Sequence, residues 1–193
     1  EYVKTTGDAS ILDAEAPFLT GESLEPEEEE RYSHYATTGR TTSVYEHCLR
    51  SIERGLRCGP HGLPLMGTGD WNDGMNRVGV GGKGESVWLG WFLYKVLVEF
   101  ADLCEARGDK ERASDYRKRT GELQGAVEAH GWDGDWYLRA YYDDGTPLGS
   151  ARNRECQIDS LAQSWAVLSG AAQTERAERA MAAVRQKLVD EQD

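Results

Sequence analysis

The chain has 193 residues, 39% of them hydrophobic, and its 34 Asp and Glu against 22 Lys and Arg leave a formal net charge of −12. That length and apolar content can bury a core in a single globular domain, while the acidic balance argues against nucleic acid or an anionic membrane, both of which recruit clusters of Lys and Arg. Cys48, Cys58, Cys104 and Cys156 are scattered, with no CxxC pair and no His at ligand spacing. They read as reduced, mostly buried thiols, not as a zinc site or a disulfide framework.

The sequence opens on Glu1 in mid-pattern, without an initiator Met, a signal sequence or an apolar run long enough to span a bilayer, so a fragment is expected. Tyr2 and Val3 read as the tail of a helix that Gly7 closes, and residues 9–15 as the start of another before Pro17. From Thr20 to Thr42 the pattern predicts a long connection. Its acidic run, Glu27-Glu28-Glu29-Glu30, suits a solvated loop because clustered like charges repel. Tyr32, His34 and Tyr35 follow it without a partner residue that would give them a role.

Ser43 and Glu46 form a capping box, and Tyr45, Leu49, Ile52 and Leu56 then recur at helical spacing up to Cys58-Gly59-Pro60. A second helix is expected from about Glu85 to Arg107. Its second half carries a polar stripe of Lys95, Glu99 and Asp102, while Trp88, Trp91 and Phe92 leave its first half apolar nearly all round, so its beginning is buried. Asp109 can cap an outer helix running to about His130, with Tyr116, Leu123 and Val127 inward and Gly131 closing it. Trp136 to Tyr142, followed by Asp143-Asp144-Gly145, reads as a short strand and turn, a small β-hairpin near 136–148. Strand packing is the better explanation of Trp136, Tyr137 and Arg139 than contact with a ligand. Asp159 and Ser160 start a short inner helix to Gly170, and Thr174 is expected to cap a final helix with Ala177, Ala180, Met181, Val184 and Leu188 on one face. Inner and outer helices thus alternate, as in stacked helical hairpins.

Between the first two of these helices lies the stretch Gly67-Thr68-Gly69-Asp70-Trp71-Asn72-Asp73-Gly74-Met75-Asn76. Glycines let the backbone turn tightly there, and carboxylates, an amide and an indole crowd between them. Trp71 offers a flat apolar face on which a sugar ring can stack, and Asp70, Asn72 and Asp73 supply the donors and acceptors that hydroxyl groups need. Because the buried start of the next helix follows closely, the loop is expected over the domain interior. Other chemistries fit less well. Gly79 to Gly84 looks like a phosphate loop, but Lys83 precedes Gly84 where Ser or Thr is needed, Arg77 stands where the first Gly should be, and no strand leads in. A calcium loop fails because Gly74 falls one place early and no Glu follows at the twelfth position. No Gly-x-Ser-x-Gly elbow is present for a Ser-His-Asp hydrolase.

Three segments carry a more specific likeness: Leu63-Pro64-Leu65-Met66 running into the loop through Asn76, then Gly84-Glu85-Ser86-Val87-Trp88-Leu89, and Gln163-Ser164-Trp165-Ala166-Val167-Leu168-Ser169-Gly170. Together they resemble glycoside hydrolase family 94, the inverting sugar phosphorylases. Gly7-Asp8-Ala9-Ser10-Ile11-Leu12 and Asp143-Asp144-Gly145-Thr146-Pro147-Leu148-Gly149-Ser150 make the chain most similar to phosphorylase-like domains of cyclic β-1,2-glucan synthases. The likeness runs nearly end to end.

This resemblance implies an all-α fold, part of an (α/α)6 barrel of the six-hairpin glycosidase type, forming one piece of a single catalytic domain that is incomplete at both ends. It implies that Asp73 is the general acid that protonates the glycosidic oxygen, that Trp71 lines the sugar site, and that Asn72 and Asp70 belong to the substrate-binding loop. Inorganic phosphate is the implied co-substrate, with no other cofactor and no metal, and one acid then suffices because phosphate attacks the anomeric carbon without a general base. Asp73 would have to stay protonated near neutral pH, through burial or a neighbouring carboxylate such as Asp70. The implied partners are a β-glucan oligosaccharide, phosphate or glucose 1-phosphate, and the rest of the polypeptide, which holds the phosphate site. Self-association of exposed helix faces and low activity of the isolated segment also follow. The segment is expected to be soluble, on the cytoplasmic side, within a parent associated with the inner membrane. Two rival readings stay open: an inverting hydrolase, which needs a second carboxylate, and a non-catalytic glucan-binding module, which needs Trp71 but not Asp73.

Overall fold

A computed structural model describes residues 1–25, 28 and 31–190, except for the side chain of Asp73. Of the acidic run expected as a solvated loop, Glu27, Glu29 and Glu30 lie outside the described residues. Two compact units divide the chain, Glu1–Gly55 and Leu56–Asp193.

In the smaller unit, α1 (Tyr2–Thr6) ends at Gly7, whose φ of 73° is left-handed, as expected. The helix expected from residue 9 is instead a 3-10 turn, Ala9–Asp13, capped by Asp8, and the chain then straightens into β1 (Glu15–Thr20). β1 pairs antiparallel with β2 (Ala36–Ser43), Glu15 opposite Ser43 and Thr20 opposite Ala36. The end of the expected connection is therefore a strand. Thr37, Thr38, Thr41 and Thr42 favour extended backbone, and a two-stranded ribbon tolerates Pro17 because every strand in it is an edge. α2 (Val44–Gly55) follows without a break. Ser43 Oγ accepts from the Glu46 N–H at 3.2 Å, as the capping box requires, and Leu49 and Ile52 are buried.

The larger unit is built on α3 (Val87–Ala106), α4 (Lys110–Ala126), α5 (Ser160–Leu168) and α6 (Thr174–Leu188). Beside them lies a small antiparallel sheet in the order β3 (Glu85–Ser86), β4 (Ala140–Tyr141), β5 (Pro147–Leu148). α3 buries Val87, Trp88, Trp91, Leu93, Leu97, Ala101 and Cys104, as its apolar pattern demands. Gly108, at φ 84°, turns the chain, and Asp109 caps α4 by accepting from the Arg112 N–H at 3.2 Å. α4 packs along α3 and buries only Ala113, Tyr116 and Leu123, which makes it the expected outer helix. A single π turn, Val127–Gly131, finishes it.

Several boundaries differ from the sequence expectation. Glu85 and Ser86 pair with Tyr141 and Ala140, so the helix expected from Glu85 begins at Val87. The expected hairpin narrows to Ala140–Tyr141 against Pro147–Leu148 and gains β3 as a third strand, so the fold is helical with small sheets and not all-α. Thr174 is the first residue of α6 and not its cap, and the helix buries Ala180 and Ala183 while Met181 and Leu188 face solvent. The cysteines are free, but only Cys104 is buried, with Cys58 and Cys156 exposed.

At the centre of this unit, Trp91 meets Tyr137 edge to face with ring centroids 5.2 Å apart, and Leu63, Val87, Val127 and Ala162 close around them. Gln163 stands buried in this core because both ends of its amide are used. It accepts from the Tyr137 N–H at 2.8 Å and donates to the Tyr137 carbonyl at 2.7 Å, which ties α5 to the segment leading into β4. Among the described residues no helix is long and apolar enough to cross a membrane.

Candidate active site

The loop that the sequence singles out is tethered at both ends. On its way in, the Met66 N–H donates to the Gly84 carbonyl at 2.9 Å, and Met66 packs with Val78 and Ala140 in a small apolar cluster that Met75 joins from the way out. Between these anchors the polypeptide makes two side-chain turns in succession. Asp70 Oδ1 accepts from the Asn72 N–H at 3.1 Å, and Asn72 Oδ1 accepts from the Gly74 N–H at 3.1 Å. Short polar side chains that bond the backbone two residues on are the usual builders of such turns. They lead into a 3-10 turn, Asp73–Met75, which Asp73 opens.

Beneath the loop lies a buried ion pair. Arg139 is 1% exposed and the Asp70 side chain is fully buried. The guanidinium grips both carboxylate oxygens, Nη2 donating to Oδ1 at 2.8 Å and Nη1 lying 2.7 Å from Oδ2. The Ser86 hydroxyl donates to Asp70 Oδ2 at 2.8 Å while accepting from the Leu89 N–H at 3.0 Å, so one side chain caps α3 and braces the loop. Burial by itself pushes the Asp70 pKa up. The Arg139 bonds and charge, the Ser86 hydroxyl and the Asn72 N–H outweigh it and hold the carboxyl below its ordinary value. Arg139 Nε is buried without a hydrogen bond, 3.6 Å from Asp159 Oδ2 at the cap of α5.

Of the residues the sequence proposes for the site, Trp71 is 66% exposed and Asn72 is exposed, with its side-chain oxygen committed to the turn. Asp70 points inward and is a structural anchor here, with both oxygens already taken. Its charge is matched by Arg139, so it is no uncompensated neighbour that could keep another carboxyl protonated. The Asp73 side chain is outside the described parts, and its backbone sits between the two tethered residues Asn72 and Gly74. Sequence reasoning assigns Arg139 to strand packing and does not single out Ser86. The available signal is a charged residue set among Trp136, Tyr137, Leu138 and Ala140, all buried, where an Arg needs a carboxylate partner.

The glycine run that looked like a phosphate loop does bind an anion, but an internal one. The N–H groups of Gly81, Lys83 and Gly84 donate to the Asp143 carboxylate at 2.7, 2.8 and 2.9 Å. Burial raises the Asp143 pKa, and these donors more than reverse it. Nearby, a cavity of about 330 Å³ is lined by His61, Lys83, Glu85, Tyr141 and Asp143. The Glu85 carboxylate there is taken up by the His61 ring at 2.5 Å and by the Leu63 N–H at 3.0 Å. Among the described residues no group of three or more His, Cys, Asp or Glu could hold a metal ion.

A polar loop braced from below and carrying an exposed indole offers a stacking face of the kind that a carbohydrate-active domain presents to a sugar ring. The particular family follows from its sequence. The model of the glycosyl hydrolase 94 superfamily, catalytic domain, matches residues 1–193, and the chain belongs to that family. It is 50% identical, over 98% of its own length, to the cyclic beta-(1,2)-glucan synthase NdvB of Rhizobium meliloti, of which it covers 7%. It is 40% identical over 97% of its length to the solabiose phosphorylase of Paenibacillus borealis, covering 22% of it. To the N,N'-diacetylchitobiose phosphorylase of Vibrio proteolyticus it is 31% identical over 97% of its length, covering 21%. The chain thus spans less than a quarter of the length of these relatives.

Proposed function

We propose that the chain supplies the general-acid part of a phosphorylase-type catalytic domain that makes and breaks β-1,2-glucosidic bonds in glucans. The observation that carries this reading is the geometry of the loop, an exposed Trp71 beside a backbone fixed on both sides of Asp73. In the proposed reaction a phosphate oxygen attacks the anomeric carbon as the glycosidic C–O bond breaks. Asp73 passes its proton to the leaving oxygen, and the β-linked sugar departs as α-glucose 1-phosphate. Trp71 offers its indole face to the sugar, and the backbone turn through Asn72 sets the approach.

The same reading extends to the surroundings. The helical hairpins belong to an (α/α)6 barrel that the rest of the polypeptide completes and to which it brings the phosphate site. Phosphate is a co-substrate, and no further cofactor is invoked. The domain works on the cytoplasmic side, and helix faces covered by the rest of the barrel promote self-association when the segment is isolated.

The test uses the full-length protein that carries this chain, with β-1,2-glucooligosaccharides as substrate. Release of glucose 1-phosphate is measured with and without phosphate for the wild type and for Asp73→Asn. Phosphate-dependent release that the substitution lowers by about 100-fold or more is expected. Glucose released without phosphate would identify a hydrolase instead, and binding without turnover a glucan-binding module.

A further inference from the structure

The polypeptide on both sides of Asp73 is tied, link by link, to one buried side chain. Arg139 is itself fixed by its backbone, its N–H donating to the Leu148 carbonyl at 2.8 Å and its carbonyl accepting from the Val87 N–H at 3.2 Å. Its guanidinium therefore starts from the sheet and not from a mobile loop. From there both terminal nitrogens reach Asp70, Asp70 Oδ1 holds the Asn72 N–H, and Asn72 Oδ1 holds the Gly74 N–H. Nη1 also donates to Ser86 Oγ at 3.2 Å, the same hydroxyl that bonds Asp70, which closes a ring of three side chains under the loop. At 1% exposure Arg139 cannot reach a sugar or phosphate in this arrangement, so its influence on the reaction is indirect, and the loop around Asp73 is what its bonds to Asp70 hold.

From this relay we infer that Arg139 is the positioning residue for Asp73: acting through Asp70, it sets the backbone orientation from which Asp73 delivers its proton to the leaving oxygen. The inference rests on the phosphorolysis reading above. The shape of the side chain suits an arginine to the task. Its planar fork engages both oxygens of Asp70 through two nitrogens and reaches Ser86 Oγ as well, whereas a lysine keeps the charge on a single nitrogen and loses that two-point grip. Arg139→Lys should therefore show the same kind of defect as a neutral replacement.

A structural role alone would lower activity on every substrate, whereas a role in placing the acid shows only where a proton is needed. Two β-glucosides separate these cases in the full-length protein, assayed by phosphate-dependent formation of glucose 1-phosphate. With an alkyl or sugar leaving group, the oxygen must take a proton as the C–O bond breaks. With 2,4-dinitrophenyl β-glucoside, the bond's electron pair stays on a stable phenolate and no proton is required. Arg139→Met alone leaves a buried, unpaired carboxylate at Asp70 and invites misfolding, so the variants are Arg139→Lys and the double replacement Asp70→Asn with Arg139→Met.

Both variants are expected to lose about 30- to 100-fold in kcat on the oligosaccharide, with KM for phosphate within about twofold and activity on the dinitrophenyl substrate within about threefold of wild type. An equal loss on both substrates, or none on either, overturns the inference. Asp73→Asn runs alongside as a control. If it too loses both substrates equally, the acid assignment falls and the inference with it. If Asp73→Asn is selective for the oligosaccharide while the Arg139 variants are indifferent to leaving group, the inference alone falls.

Discussion

Trp71 and Asp70 are neighbours in sequence with opposite environments, one 66% exposed and the other with a fully buried carboxylate. An exposed indole adds little to the fold, so Trp71→Ala should leave stability within about 0.5 kcal/mol of wild type. Loss of a stacking face worth about 1 kcal/mol should weaken oligosaccharide binding about fivefold, which calorimetric titration of the full-length protein would reveal. Asp70 predicts a pH dependence. Burial alone would raise its pKa, but Arg139, Ser86 and the Asn72 N–H bring it below the ordinary value. A folded-state pKa below the unfolded one of about 3.9 means that its stabilisation is complete above that value and is lost as pH falls through the lowered one. Urea unfolding from about pH 6 to about pH 2 should therefore steepen at the acid end, and less so in Asp70→Asn with Arg139→Met. The sequence made the loop legible through its density of glycine, carboxylate and indole. It could not tell the outward Trp71 from the inward Asp70, because the partner that turns Asp70 inward lies 69 residues away.

At the scale of elements, the sheet sets where Arg139 stands, and Gly149 lets the sheet close. Its φ is +81°, and a Cβ there would lie 2.7 Å from the Arg139 backbone nitrogen. Gly149→Ala is thus opposed both by backbone conformation and by a clash with main chain that cannot swing away, and should cost about 2 to 4 kcal/mol in denaturant titrations. Ser86→Ala removes the cap of α3 together with a donor to Asp70 and should cost about 1 to 2 kcal/mol, measured in the same way. Helices with strong apolar periodicity or a side-chain cap, α2, α3 and α5, were readable because those signals are local. β2 and β3 were not, since a strand is defined by its partner. Glu85 and Ser86 look like the first turn of α3 until Tyr141 and Ala140 are seen opposite them. α6 shows the same limit: of the face its pattern offers, Ala180 is buried but Met181 and Leu188 face solvent, and Ala183, outside that face, is buried beside Ala180.

Over the whole molecule, every tryptophan, from Trp71 to Trp165, falls in the unit Leu56–Asp193. Indole fluorescence therefore reports on that unit, which also holds the longer helices α3, α4 and α6 that dominate far-UV dichroism. Its main apolar cluster holds Trp91 wholly buried against Tyr137, with Leu63, Val87 and Val127 in the same cluster and Tyr141 of β4 packed against it. A core shared by helices and sheet in this way couples them, so both probes should trace one transition with the same midpoint. Trp91→Ala would leave a cavity that the surrounding rings and the Gln163 clamp cannot fill, and should shift both midpoints together by the equivalent of about 3 to 5 kcal/mol. Curves that separate in the variant would mean that α3 holds its helices and the sheet as distinct cooperative blocks. The candidate site would then ride on the sheet alone, since Arg139, Ser86 and both ends of the loop are attached there. A single shifted transition instead makes the helical core and the site one structure, in which a substitution far from the loop reaches it through β4 and the buried pair.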